Sequence, residues 1–130
     1  MRQLFIVAVL TMWVGCSSTA PTARLNQDFV LAPGETTRIT GADVTVRFIG
    51  VQSDSRCPAD AICIQAGDAI IRIEVLSSAS VARTYELHTD NMQPVQHGDL
   101  ALVLVQLAPY PLASRPTQPG DYRATLRVTR

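Results

Sequence analysis

From residue 28 onward, apolar and polar side chains alternate with a period of two, and turn-forming residues break the alternation at short intervals. That period sends successive side chains to opposite faces of an extended chain, which is the signature of strands with one buried face. Val44, Val46 and Phe48 share one face, against Thr45 and Arg47 on the other. Ile71, Ile73 and Val75 oppose Arg72 and Glu74, and Tyr122, Ala124, Leu126 and Val128 oppose Arg123, Thr125, Arg127 and Thr129. Shorter strands are expected over residues 29–31, 36–39 and 81–88, while residues 100–107 (LALVLVQL) are apolar almost throughout and read as a central strand covered on both faces. Pro33-Gly34, Gly41 and the serines of residues 77–80 supply turns, Gly50 marks an expected bulge, and Pro109, Pro111, Pro116 and Pro119 set out a long loop. About seven strands in so short a chain cannot bury their apolar faces as one open sheet. The expected fold is an all-β, immunoglobulin-like antiparallel β-sandwich, with a small β-barrel as the alternative.

The first residues follow a different rule. Arg2 precedes an apolar run over residues 4–14 (LFIVAVLTMWV), which as a helix would extend roughly 16 Å at 1.5 Å per residue. A bilayer's hydrocarbon core is about 30 Å thick, so the run is too short to span it and reads as the apolar part of a secretory signal. It closes on Trp13-Val14-Gly15-Cys16, which resembles the lipobox of bacterial lipoproteins. The resemblance implies cleavage before Cys16, lipidation of Cys16 by diacylglyceryl and acyl chains such as palmitate, and anchoring in a membrane. Ser17 in the following position implies the outer membrane, with the domain facing the periplasm. Three segments result: a signal peptide over residues 1–15, a lipidated flexible tether over 16–27, and the β domain over 28–130.

Lipidation of Cys16 leaves Cys57 and Cys63, and an exported protein meets an oxidising compartment, so these two are expected to form a disulfide. A loop this short gives about 2–2.5 kcal/mol on the chain-entropy account. The alternatives are a thiolate metal site or a redox pair, but the spacing is C-x5-C and no histidine lies between. The surrounding stretch, D-S-R-C-P from Asp54 followed by C-I-Q-A-G from Cys63, resembles a motif of a loose group of uncharacterised exported bacterial proteins, in which Trp commonly stands at the place of Gln65. The likeness extends to Leu107, Pro109 and Pro111 and to the final strand opened by Tyr122. Asp54, Arg56, Asp60, Gln65 and Asp68 form the candidate binding loop, because binding residues concentrate on loops held by a rigid scaffold. The plainer account of the same residues is structural: a carboxylate capping amides and Arg56 paired with an acid.

Little else carries chemistry. His88, Asp90, His97 and Asp99 are the set that a hairpin would have to draw together for zinc or copper, yet loop histidines are usually unliganded, and no metal site or cofactor is assigned. No G-x-S-x-G, H-E-x-x-H or glycine-rich phosphate loop is present, and no catalytic residue is assigned. The 11 arginines are scattered and balanced by 11 acids, so nucleic acid is not an expected partner. The expected function is a membrane-anchored, non-enzymatic module of the cell envelope that binds a protein or cell-wall component. The alternative is an inhibitor of a periplasmic protease or lysozyme, and an enzyme is the remotest of the three.

Overall fold

The computed structural model describes residues 21–130. The expected signal segment, Cys16 and the first part of the expected tether lie outside the described residues. Nine strands form: β1 (Thr22–Arg24), β2 (Asp28–Leu31), β3 (Thr36–Thr40), β4 (Val44–Asp54), β5 (Ala69–Ser77), β6 (Arg83–His88), β7 (Val95–His97), β8 (Leu100–Ala108) and β9 (Arg123–Thr129), with one 3-10 turn at Pro119–Asp121. They make two sheets, ordered β1-β3-β4-β5-β6 and β2-β9-β8-β7. All neighbours are antiparallel except β1 and β3. The fold is therefore the all-β sandwich expected, two layers rather than a closed barrel.

The core is the meeting of the two inward faces. Ile39, Val46, Phe48, Ile71, Ile73, Val75 and Leu87 of the first sheet pack with Leu102, Leu104, Leu126 and Val128 of the second, and all are essentially fully buried. These are the faces that the alternation marks out. Three bulges, at Leu104–Gln106, Phe48–Gly50 and Val51–Ser53, keep the pattern in step where strict alternation would fail. In β8 the register slips between Leu104 and Gln106, so Gln106 turns to solvent and Leu107, not its polar neighbour, returns to the core. In β4 the slip between Phe48 and Gly50 sits at Gly50, whose φ of 152° suits a residue without a Cβ.

Several expectations are corrected. Among the described residues strands number nine rather than about seven, because β1 and β7 form where a tether and a loop were expected. Thr22–Arg24 pairs with β3 instead of hanging free, held also by Thr37 Oγ1 donating to the Pro21 carbonyl at 2.8 Å. β7 pairs with β8 through a two-residue Gly98-Asp99 turn in which Gly98 takes a φ of 63°. β6 begins at Arg83 rather than at Val81. β8 is not covered on both faces: Leu100, Leu102 and Leu104 are buried while Ala101, Val103 and Val105 are half-buried, since the sandwich has only two layers.

The two ends of the sandwich differ. Residues 55–68, 89–94 and 109–122 lie together at one end, because Asp54 pairs with Ala69, Ile70 with His88, and Ala108 with Arg123. The turns at residues 41–43 and 78–82 lie at the other. Truncation of the central aromatic, Phe48→Ala, is expected to lower the unfolding free energy by about 3–5 kcal/mol in a urea titration. Val81→Ala, at an exposed site outside any strand, should stay within about 0.5 kcal/mol of the parent.

Candidate functional site

Loop 55–68 grows directly out of β4, and the side chains of Asp54 and Arg56 at its start are buried rather than presented, only 9% and 7% exposed. The guanidinium grips the carboxylate in two places, Nε donating to Oδ1 at 2.8 Å and Nη2 to Oδ2 at 2.7 Å. Its remaining donors reach the opposite sheet, Nη1 to the Leu107 carbonyl at 2.9 Å and Nη2 to the Pro109 carbonyl at 3.0 Å. Tyr122 Oη donates to Asp54 Oδ2 at 3.0 Å from just ahead of β9, and the Tyr110 ring lies 5.2 Å from the guanidinium carbon. The pair is fully bonded, which is the condition under which a buried ion pair is tolerated. Burial works against the Asp54 anion, but the bonds from Arg56 and Tyr122 outweigh it and hold the carboxyl below the usual aspartate range. Burial and the neighbouring carboxylate push the Tyr122 phenol up.

The far end of the loop is closed just as firmly. Ser55 N–H donates to the Asp68 carbonyl at 2.8 Å, and the Ser55 hydroxyl accepts the Asp68 N–H at 3.1 Å. Gly67 passes so near this crossing that a Cβ placed on it would stand 1.5 Å from the Ser55 carbonyl oxygen. The Asp68 carboxylate reaches across to the turn after β6. Its Oδ1 accepts the Thr89 N–H at 2.9 Å, the Thr89 hydroxyl at 3.0 Å and the Asp90 N–H at 3.0 Å, while His88 Nδ1 lies 2.6 Å from Oδ2. Partial burial opposes ionisation of Asp68, and the His88 and Thr89 bonds overcome it, lowering its pKa.

The tip is pinned too. Cys57 and Cys63 form the expected disulfide, with Cα atoms 6.0 Å apart. Asp60 accepts the Ala113 N–H at 2.6 Å and the Ser114 N–H at 3.1 Å, and Ala59 N–H donates to the Pro111 carbonyl at 3.0 Å, binding this loop to residues 109–122. The Ser114 side chain and the two amides hold the Asp60 carboxyl down to about 2. Of the five loop residues singled out in the sequence, Asp54, Arg56, Asp60 and Asp68 thus act on the loop's own shape, and Gln65 is exposed.

What the loop presents to solvent is apolar. Ile62 and Ile64 are 104% and 103% exposed, and Met92, Tyr110 and Leu112 of the neighbouring loops are also open. Beside them an open cleft of about 820 Å³ runs from Ser55, Gly67 and Asp68 past Asp90 and Met92 to Tyr110. The sequence left the two isoleucines unremarked, although a loop closed by a six-residue disulfide interval has no interior in which to bury them.

The histidines separate. His97 is buried, bonded to Tyr85 Oη at 2.9 Å and packed edge-on against that ring, and Asp99 pairs with Arg130 at 2.7 Å. His88 and Asp90 instead join Asp68, with one potential ligand atom from each lying within 4.8 Å of the others. Asp68 already accepts three donors on one oxygen and faces His88 with the other, so the cluster is occupied by its own hydrogen bonds. Comparison with protein families, curated proteins and solved structures finds no match for this chain.

Two outcomes follow for the loop's foundations. Arg56→Ala strands the Asp54 charge and should cost about 3–5 kcal/mol in urea unfolding, whereas Tyr122→Phe removes one hydrogen bond and should cost about 1 kcal/mol. Gly67→Ala should open the Ser55–Asp68 crossing, lowering stability by about 1–3 kcal/mol and exposing residues 55–68 to limited proteolysis. The lowered aspartate values also fix a pH dependence. A carboxyl with a depressed folded-state pKa stabilises the fold above its unfolded value of about 3.9 and loses that contribution as pH falls through the folded value. Stability should therefore hold from neutral pH to about pH 5 and decline below pH 4, with a shallower acid slope in Asp54→Asn, read from denaturation midpoints across pH.

Proposed function

We propose that this chain is a lipid-anchored envelope lipoprotein whose domain is a non-enzymatic binding module, and that its working end is the one carrying loop 55–68. On this reading Cys16 bears the lipid, the address is the periplasmic face of the outer membrane, and the partner is a component of the envelope. The observation that carries it is the pair Ile62 and Ile64, wholly exposed on a loop fastened at both ends and at its tip. Apolar side chains held rigidly in water cost little further ordering when they are covered, and covering each contributes about 1.5–3 kcal/mol. The loop's aspartates support binding over catalysis, since Asp54, Asp60 and Asp68 spend their oxygens on internal donors.

A second reading, inhibition of a periplasmic protease or lysozyme, draws on the same rigid protrusion. It requires one-to-one loss of hydrolase activity that Ile62→Ser with Ile64→Ser abolishes. Two measurements test the favoured reading. Metabolic labelling with a fatty-acid analogue should mark the wild type and leave Cys16→Ala unmarked. A photo-crosslinking residue at position 62 should capture an envelope component in cells, and the same group at position 81, on the opposite end, should not; equal capture at both positions would refute the assignment of the working end.

A further inference from the structure

β1 fixes the direction from which the N-terminal segment enters the domain. It runs parallel to β3, and β3 is antiparallel to β4. Following β1 backwards from Arg24 to Thr22 therefore leads toward the Asp54 end of β4, where the three loops lie. Thr22 stands level with Arg38, Thr45 and Leu76 across the sheet. From that level the sheet continues to the Asp54–Ala69 pair, seven residues along β5 and roughly 23 Å at 3.3 Å per residue. Cys16 precedes Thr22 by six residues, which span at most about 22 Å whatever path they take. A lipid on Cys16 thus reaches no farther than the rim of the sandwich at the loop end, and the bilayer can touch the loop end, the side of the domain along β1 and β2, or the opposite end, which is one residue pair from Thr22 at Val44–Ser77.

The surface chemistry chooses between them. Ile62, Ile64, Met92, Tyr110 and Leu112, five of the nine exposed large hydrophobics among the described residues, sit at the loop end. The side along β1 and β2 offers Val30 alone, among Thr22, Arg24 and Asp28, and the opposite end offers Leu76 and Val81 beside the ion pairs Arg38–Asp43 and Arg130–Asp99. Residues 57–67 contain one charged side chain, Asp60, and its carboxylate is turned onto the Ala113 and Ser114 amides.

We propose that the partner of loop 55–68 is the lipid surface of the membrane that holds the anchor, with Ile62 and Ile64 entering the interfacial zone and the Tyr110 ring beside them, its hydroxyl toward the headgroups. The proposal rests on the reading of Cys16 as lipidated, and it sets the inhibitor reading aside, because a loop seated in lipid is closed to a hydrolase. The anchor makes the contact intramolecular in effect, so a weak apolar contact is well populated once the lipid is inserted. Its disulfide and its hydrogen bonds to residues 109–122 leave little conformational freedom to lose on insertion.

The test uses the full-length protein as processed in cells, purified in detergent and reconstituted into vesicles of phosphatidylethanolamine and phosphatidylglycerol with brominated acyl chains. The one tryptophan of the sequence is Trp13, ahead of Cys16, so a single introduced indole reports alone after processing. Ile62→Trp should shift its emission to the blue and lose most of it to the brominated chains; Val81→Trp, at the opposite end, should do neither. If the N-terminal peptide carries no lipid mass and the protein does not float with the vesicles, the anchor reading falls and the inference with it. Should the protein float with its lipid attached while the Ile62→Trp indole stays as open to acrylamide as the Val81→Trp indole, the anchor stands and the inference is overturned. Quenching at Val30→Trp in place of Ile62→Trp would overturn it in favour of a side-on domain, and capture of a protein by a crosslinker at position 62 in cells would assign the loop to that protein instead.

Discussion

The Asp54–Arg56 pair is the point on which this end of the molecule turns. One guanidinium satisfies a carboxylate from the end of β4 and two carbonyls from the end of β8, and the carboxylate in turn receives a phenol from the threshold of β9. The two sheets are thereby joined by charge-assisted bonds at the rim, where the apolar core has run out and only loops remain. An ion pair so placed has its desolvation offset by a complete set of partners, and the loss of either charge leaves the other without solvent or counter-charge. Loop 55–68 can be rigid because it starts from this fixed point and returns to another, the crossing of Ser55 and Asp68.

That rigidity separates shape from display. Asp54, Arg56, Asp60 and Asp68 hold the loop, while Ile62 and Ile64 are held by it. Charged residues in a dense sequence segment invite a reading as ligand-binding groups, but here their bonding capacity is used within the protein. Of the side chains left to face outward, Ile62 and Ile64 have no hydrogen-bonding capacity at all, and Gln65 stands exposed beside them.

The layers of the fold were legible because they depend on local alternation, and Val44, Val46, Phe48, Ile71, Ile73 and Val75 face inward as their spacing requires. The Cys57–Cys63 bond was legible from cysteine count and the expectation of export. Three-residue strands were not: Thr22–Arg24 and Val95–His97 are too short to show a period and owe their form to the neighbours they pair with. The Gly98-Asp99 turn was the one local signal for β7. In the site, Asp54 with Arg56 was visible as adjacent chemistry, whereas Leu107, Pro109 and Tyr122 join them across 51 to 68 residues of chain, a distance at which only the tertiary fold decides who meets. The same holds for Asp68 and His88, brought together because Ala69 and the turn after β6 share a sheet edge.

The parallel seating of β1 has a mechanical meaning as well. Tension arriving at Thr22 from the loop end acts along the strand axis, so the three residue pairs that join β1 to β3 share the load together instead of parting one after another. The Pro21 carbonyl, bonded to both the Thr37 hydroxyl and the Arg38 amide, adds two more points of grip at the site of pull. On the lipid-anchored reading proposed above, a lateral drag on residues 16–21 is spread into the body of the sheet as shear, and the strand serves as a strain relief between a fluid surface and a stiff domain.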